Sequence, residues 1–178
     1  TVPFSADAPK RRAVLILPGG GYHHLCPREG EPIARRFWSK GYNTAVLHYS
    51  VTQETESLLD RESGFPKPII EVMTAMAYMR RHAEKYHIDP EKITVIGFSA
   101  GGHLAAGLST LWDCEPILRA AKTTEKEVKP NAAIFSYAVT YVEEQWQRQG
   151  TFASLFSDIA DLDAAVKLFS PVRNVKEN

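Results

Sequence analysis

An α/β fold, with a mostly parallel central sheet flanked by helices, is predicted for this 178-residue chain by three observations. Short apolar runs of strand length recur at residues 12–17, 43–49, 93–96 and 132–137, and the first of them (Arg12-Ala13-Val14-Leu15-Ile16-Leu17) is unbroken, the pattern of a strand buried on both faces. Segments with apolar residues at helical spacing lie between these runs, and such alternation favours parallel strands joined by right-handed crossovers. Finally, Gly97-Phe98-Ser99-Ala100-Gly101 follows a strand directly and opens a helix continued by Leu104, Ala105 and Leu108.

Taken in order, residues 1–10 carry two prolines and little pattern, so an edge strand or a tail is expected. The strand at 12–17 runs into Pro18-Gly19-Gly20-Gly21-Tyr22, where consecutive glycines weaken regular structure and point to backbone freedom or close approach. A phosphate cradle does not fit, because no Gly-Lys-Ser/Thr follows and Gly-x-Gly-x-x-Gly fails at His24. A helix is predicted over 31–40, with Pro32 in its first turn and Gly41 as its stop. The second strand covers 43–49 and a polar loop 50–67. The longest helix is predicted over 68–86, where Ile69, Val72, Met73 and Met76 share a face; its three methionines read as core packing rather than a binding stripe.

Asp89-Pro90 is expected to turn the chain into the strand at 93–96. The segment 112–130 is polar and mixed, with a helical fragment near 117–122, and the fourth strand occupies 132–137. Short helices are expected at 151–156 and 161–169, before Ser170-Pro171-Val172 opens a loop. No internal repeat or linker divides the sequence, so residues 1–178 are read as one domain.

Lys plus Arg and Asp plus Glu each number 21, so a formal charge of zero gives no reason to expect nucleic acid or an anionic membrane as partner. No apolar run approaches the roughly 20 residues of a membrane span. Cys26 and Cys114 have neither metal nor redox spacing and are expected as free thiols, which favours a cytoplasmic location. The chain opens on Thr1, so a processed N-terminus and secretion stay open.

The chemistry centres on Ser99. A sharp strand-to-helix bend exposes its hydroxyl above the sheet, with Gly97 and Gly101 keeping Cβ atoms out of the corner. Cleaving an ester or amide with a serine needs a base for the hydroxyl proton and donors aimed at the developing oxyanion. The Ala100 N–H, at the start of a helix, and the N–H groups of the triple-glycine loop are candidates for the second task. Active sites in such sheets lie at the carboxyl ends of strands, where Gly20, Gly21 and Ser99 all fall.

On Pro18-Gly19-Gly20-Gly21-Tyr22, Gly97-Phe98-Ser99-Ala100-Gly101-Gly102-His103-Leu104 and the preceding Ile88-Asp89-Pro90-Glu91-Lys92-Ile93, the chain resembles the α/β-hydrolase superfamily. It is most similar there to the bacterial esterase/lipase branch, acetyl-xylan-esterase-like and related to hormone-sensitive lipase, over residues 12–172. The resemblance implies an α/β-hydrolase fold, Ser99 as nucleophile, and Gly20, Gly21 and Ala100 as oxyanion donors. It implies no metal and no cofactor, and a small-molecule ester as substrate, on short acyl or acetyl esters including decorated sugars. Tyr22 and His23 are expected at the substrate pocket. Pro18 departs from the His that many relatives carry before the glycines, which bears on subgroup more than on mechanism.

In this fold the triad follows the chain order Ser, Asp or Glu, His. The last histidine here is His103, one helical turn beyond Ser99 and unable to swing back in front of it, so a structural role is expected. Asp158, Asp161 and Asp163 are read as caps and solvated first-turn charges. The expectation is therefore an incomplete domain, truncated at the C-terminus and open to the same reading at the N-terminus, with the acid and histidine on later strands. A cleaved C-terminal segment that stays bound, or a second copy pairing along an exposed sheet edge, would be its partners. An alternative recruits His23 or His24 as base; His48, His82 and His87 are assigned no role. Two competing functions are a serine peptidase of the prolyl-oligopeptidase type and a catalytically inactive hydrolase-like binding protein.

Overall fold

The computed structural model describes residues 8–51, 64–142 and 162–176. Strand β1 (Arg11–Leu17) leads through the glycine loop and a 3₁₀ turn (Pro27–Glu29) to helix α1 (Glu31–Trp38) and strand β2 (Asn43–Val46). Helix α2 (Lys67–Arg81) precedes strand β3 (Ile88–Phe98), from which α3 (Ala100–Leu111) departs after a single residue. Two short helices, α4 (Glu115–Ala121) and α5 (Glu125–Val128), lead to β4 (Ala132–Ser136). Helix α6 (Leu162–Leu168) and a 3₁₀ turn (Pro171–Asn174) complete the described chain.

Among the described residues all strand pairings are parallel, in the order β2-β1-β3-β4. Register sets Leu15 beside both Ala45 and Val95, and Phe98 beside Ser136. The unbroken apolar run of β1 has a direct cause. Leu15 and Leu17 join a large core with Ile69, Val72, Met73 and Met76 of α2 and Leu104 and Leu108 of α3, whereas Val14 and Ile16 pack on the opposite face with Ile33, Ala34 and Phe37 of α1. All three methionines of α2 are buried, as core packing requires.

Several boundaries differ from the sequence expectation. Strand β2 stops at Val46 instead of 49, because the chain then leaves the sheet and the buried Tyr49 donates its hydroxyl to the Pro18 carbonyl at 2.5 Å. Helix α2 ends at Arg81 rather than 86, and His82 has already left helical geometry at φ −106°, ψ 18°. Asp89-Pro90 lies inside β3 rather than before it. Proline offers no N–H to a ladder, and the β1–β3 register slips there: Arg11 pairs with Ile88, but Ala13 with Ile93. Helix α5 was not anticipated; its signal is the capping box Thr124-x-x-Glu127. The expected elements at 1–7 and 151–156, with Asp158 and Asp161, lie outside the described residues. Asp163 stands exposed in the first turn of α6, as read. No helix among the described residues is long and apolar enough to cross a membrane.

Two polar clamps tie these layers together. Arg80, half-buried near the end of α2, donates to the carbonyls of Pro90 (3.2 Å), Glu127 (2.7 Å) and Lys129 (2.6 Å) and to Asn131 Oδ1 (2.9 Å). It thereby joins α2 to the start of β3 and to the α5–β4 connection. The second clamp is His103, 1% exposed on α3. Its Nε2 lies 2.6 Å from the Phe169 carbonyl, which can only accept, so Nε2 carries the proton and Nδ1 accepts from the Tyr22 hydroxyl at 2.7 Å. The imidazole thus bridges the glycine loop and the segment after α6, the structural role expected of it. Burial lowers its pKa from 6.5 to about 4, against the raising effect of the bond to Phe169.

Two outcomes follow. Arg80→Ala should cost roughly 2–3 kcal/mol in chemical denaturation, with Arg80→Lys recovering only part because an ammonium cannot span the planar fork. His103 stays neutral when folded but protonates near 6.5 when unfolded, so the unfolded state binds more protons below that pH. Its stabilising contribution is therefore whole above about pH 6.5 and is lost as pH falls to about 4, an effect of about 3 kcal/mol. Thermal midpoints measured across that window should decline, and His103→Gln should flatten the decline.

Candidate functional site

Ser99 is the single residue between β3 and α3, with φ +49° and ψ −114°. A non-glycine residue in such a region costs on the order of 1–3 kcal/mol and survives only where its surroundings over-determine it. Here its N–H donates to the Ser136 carbonyl at the end of β4 (3.0 Å), and its carbonyl accepts the His103 N–H (2.9 Å). A serine at a helix N-cap ordinarily spends its hydroxyl on the helix's own N–H groups. Ser99 makes no such capping bond and is half-buried, so the hydroxyl is not committed to the helix.

The bend is tight enough to exclude side chains on both flanks. A Cβ on Gly97 would sit 2.0 Å from the Gly101 carbonyl oxygen, and one on Gly101 would sit 2.1 Å from the Leu17 carbonyl oxygen. The start of α3 therefore lies backbone to backbone against the end of β1, where the glycine loop begins. That loop turns through φ +126° at Gly20, +64° at Gly21 and +61° at Tyr22. A Cβ on Gly19 would fall 3.0 Å from the Ser99 Cβ, so loop and serine are in contact.

The loop is fastened at several points. The Gly19 carbonyl accepts the Cys26 N–H (2.9 Å), and the Gly20 carbonyl accepts the N–H groups of His23 (3.1 Å) and His24 (3.2 Å). The N–H groups of Gly20, Gly21 and Ala100 donate to no protein acceptor among the described residues. Tyr22 points into the core rather than toward the pocket mouth: it is 0% exposed and packs edge-on against Tyr49, Phe65 and His103. His23 is half-buried and His24 exposed.

Two residues at this site carry no recognisable mark in the sequence. Glu29 accepts the Gly19 N–H on Oε2 (2.7 Å) and the Tyr137 hydroxyl on Oε1 (2.6 Å). Tyr137 follows β4 directly at φ +39°, and its bond to Glu29 pushes its pKa up to about 12. The only hint in the sequence is the tight Pro27-Arg28-Glu29-Gly30 turn, which brings an acid back over the loop it follows. The free thiols Cys26 and Cys114 are both half-buried. Among the described residues, no group of three or more His, Cys, Asp or Glu side chains could hold a metal. A cavity of about 420 Å³ between β2 and α2, lined in part by His48, Thr74 and Tyr78, includes neither Ser99 nor the glycine loop.

The BD-FAE family model matches residues 2–178. Among curated relatives, the chain is 29% identical over 172 residues to endo-1,4-beta-xylanase B of Butyrivibrio fibrisolvens, covering 97% of this chain and 26% of that protein. It is 28% identical to the acetylxylan esterase of Xylanibacter ruminicola, covering 81% of this chain and 26% of that protein. Among solved structures, it resembles the acetyl ester-xyloside bifunctional hydrolase of Caldicellulosiruptor lactoaceticus at TM-score 0.75 and 26% identity, covering 96% of this chain and 58% of that one. It also resembles MGS-M1, an alpha/beta hydrolase enzyme from a Medee basin deep-sea metagenome, at TM-score 0.61 and 42% identity, covering 77% and 48%. The chain spans about a quarter of the length of these curated relatives and about half that of the solved ones. It belongs to the BD-FAE family, within the α/β-hydrolase esterases and lipases.

Proposed function

We propose that the protein carrying this chain is a serine carboxylic-ester hydrolase acting on short acyl or acetyl esters, including acetylated carbohydrate. The observation that carries the reading is the uncapped Ser99 hydroxyl, held at a strained bend against the glycine loop. The names of its relatives, an acetylxylan esterase and an acetyl ester-xyloside hydrolase, support the substrate class.

In this mechanism the Ser99 oxygen attacks the ester carbonyl carbon as its proton passes to a base. The carbonyl oxygen becomes an oxyanion received by the N–H groups of Gly20, Gly21 and Ala100. Collapse expels the alcohol, which takes up the proton, and leaves an acyl-serine that water then cleaves by the same route in reverse. Losing one oxyanion donor typically costs about 10²–10³ in turnover. The base is not His103, whose two ring nitrogens are already engaged in the interior. No histidine follows it in the sequence. Because the fold's triad order puts acid and histidine after the serine, we assign both to chain outside these 178 residues, His23 and His24 in the glycine loop being the alternative bases.

The full-length protein should react with a fluorophosphonate probe and hydrolyse a short acyl ester, and Ser99→Ala should abolish both. The 178-residue chain alone should retain only the residual rate of a triad lacking a member, about 10³–10⁴ over water. A full-length protein that neither labels nor turns over would instead be a hydrolase-like binding protein.

A further inference from the structure

We propose that Glu29 is the positioning residue of the oxyanion loop, holding its peptide planes so that the Gly20 and Gly21 N–H groups face the cleft. The inference rests on the reading of Ser99 as nucleophile. A trans peptide is planar, and its C=O and N–H point in opposite directions. Fixing one side of each plane therefore aims the other. The Pro18–Gly19 peptide is held on both sides, its carbonyl by the Tyr49 hydroxyl (2.5 Å) and its N–H by the Glu29 carboxylate (2.7 Å). In the next plane the Gly19 carbonyl is bound to the Cys26 N–H, and in the one after it the Gly20 carbonyl takes the N–H groups of His23 and His24. The N–H groups left over, those of Gly20 and Gly21, must point away from the loop's own interior.

Glu29 is the charged member of this set, and a charge-assisted bond is roughly twice as strong as a neutral one. It comes from the turn that ends the same loop, ten residues beyond Gly19. The Tyr137 hydroxyl fixes its second oxygen from the end of β4, two strands along from β1. That strand end also receives the Ser99 N–H through the Ser136 carbonyl. One carboxylate thus references the glycine loop to the same strand end that references the serine. Without it, the buried Gly19 N–H has no acceptor, and the first plane can rotate to find one, carrying the next two with it.

The test uses the full-length protein with p-nitrophenyl acetate, and Ser99→Ala as a parallel variant. Glu29→Ala should lower kcat by about 10–100-fold, the scale of a misplaced oxyanion donor. KM should change by less than about threefold, because substrate binding is not what is lost. Glu29→Gln, whose amide oxygen still accepts the Gly19 N–H, should regain most of that kcat, and Tyr137→Phe should fall between the two. Parental kcat in folded Glu29→Ala, or a Gln variant no better than Ala, overturns the proposal. The Gly19 amide proton, read by NMR, is a second measurement independent of turnover and of the Ala variant's folding. Bonded to a carboxylate it should lie downfield and move upfield in Glu29→Gln; an unmoved signal overturns the proposal. Parental turnover in Ser99→Ala would instead sink the nucleophile reading, and the Gly19 signal would still decide whether Glu29 holds the loop.

Discussion

The structure depends on a contact in which no side chain can intervene. The first turn of α3 presses on the end of β1 closely enough that a Cβ on Gly101 would overlap the Leu17 carbonyl, and Gly97 folds under Gly101 with as little room. Parallel pairing of β1 with β3 brings both strand ends to one edge of the sheet. The glycines then let the chain segments leaving those ends touch. A serine and glycine amides that have no acceptor among the described residues, nearly 80 residues apart in sequence, are thereby brought close together. The strained backbone at Ser99 is the local cost of the arrangement, and the ladder bond to Ser136 helps offset it.

Around that contact the backbone does the chemical positioning and side chains fasten the backbone. Tyr49, Glu29 and His103 each hold the glycine loop from a different part of the fold, the last through the Tyr22 hydroxyl. Short-range bonds from Cys26, His23 and His24 complete the fastening. A loop of three glycines would otherwise be the most entropically free part of the chain. Its rigidity has to be imported from outside its own sequence.

This division explains what could be read without coordinates. The strands, the parallel sheet, the elbow at Ser99 and the structural role of His103 were legible because periodicity, glycine placement and chain order are one-dimensional signals. The shortening of β2 was not, because Leu47 and His48 continue the strand composition while the pull of Tyr49 toward Pro18 is a contact across 31 residues. Asp89-Pro90 looks like a turn in sequence and is absorbed as a register slip, since Arg11 and Ala13 pair on either side of it. Tyr22 was expected at the pocket mouth because it follows the glycines; a positive φ turns it inward. Glu29 and Tyr137 could not have been paired, for an acid in a tight turn and a tyrosine after a strand are ordinary residues until the fold sets them 2.6 Å apart.

The buried imidazole of His103 has one more effect. It sits in the first turn of the helix whose amino end faces the serine, where an added cation would alter the local field. With its proton committed to Phe169 and its lone pair to Tyr22, that ring is electrically silent across the neutral range. The field that Ser99 receives from α3 therefore comes from peptide dipoles, which do not titrate. Any ionisation near neutrality that is seen at this end of the sheet would have to be read as belonging to a group other than the first histidine after Ser99.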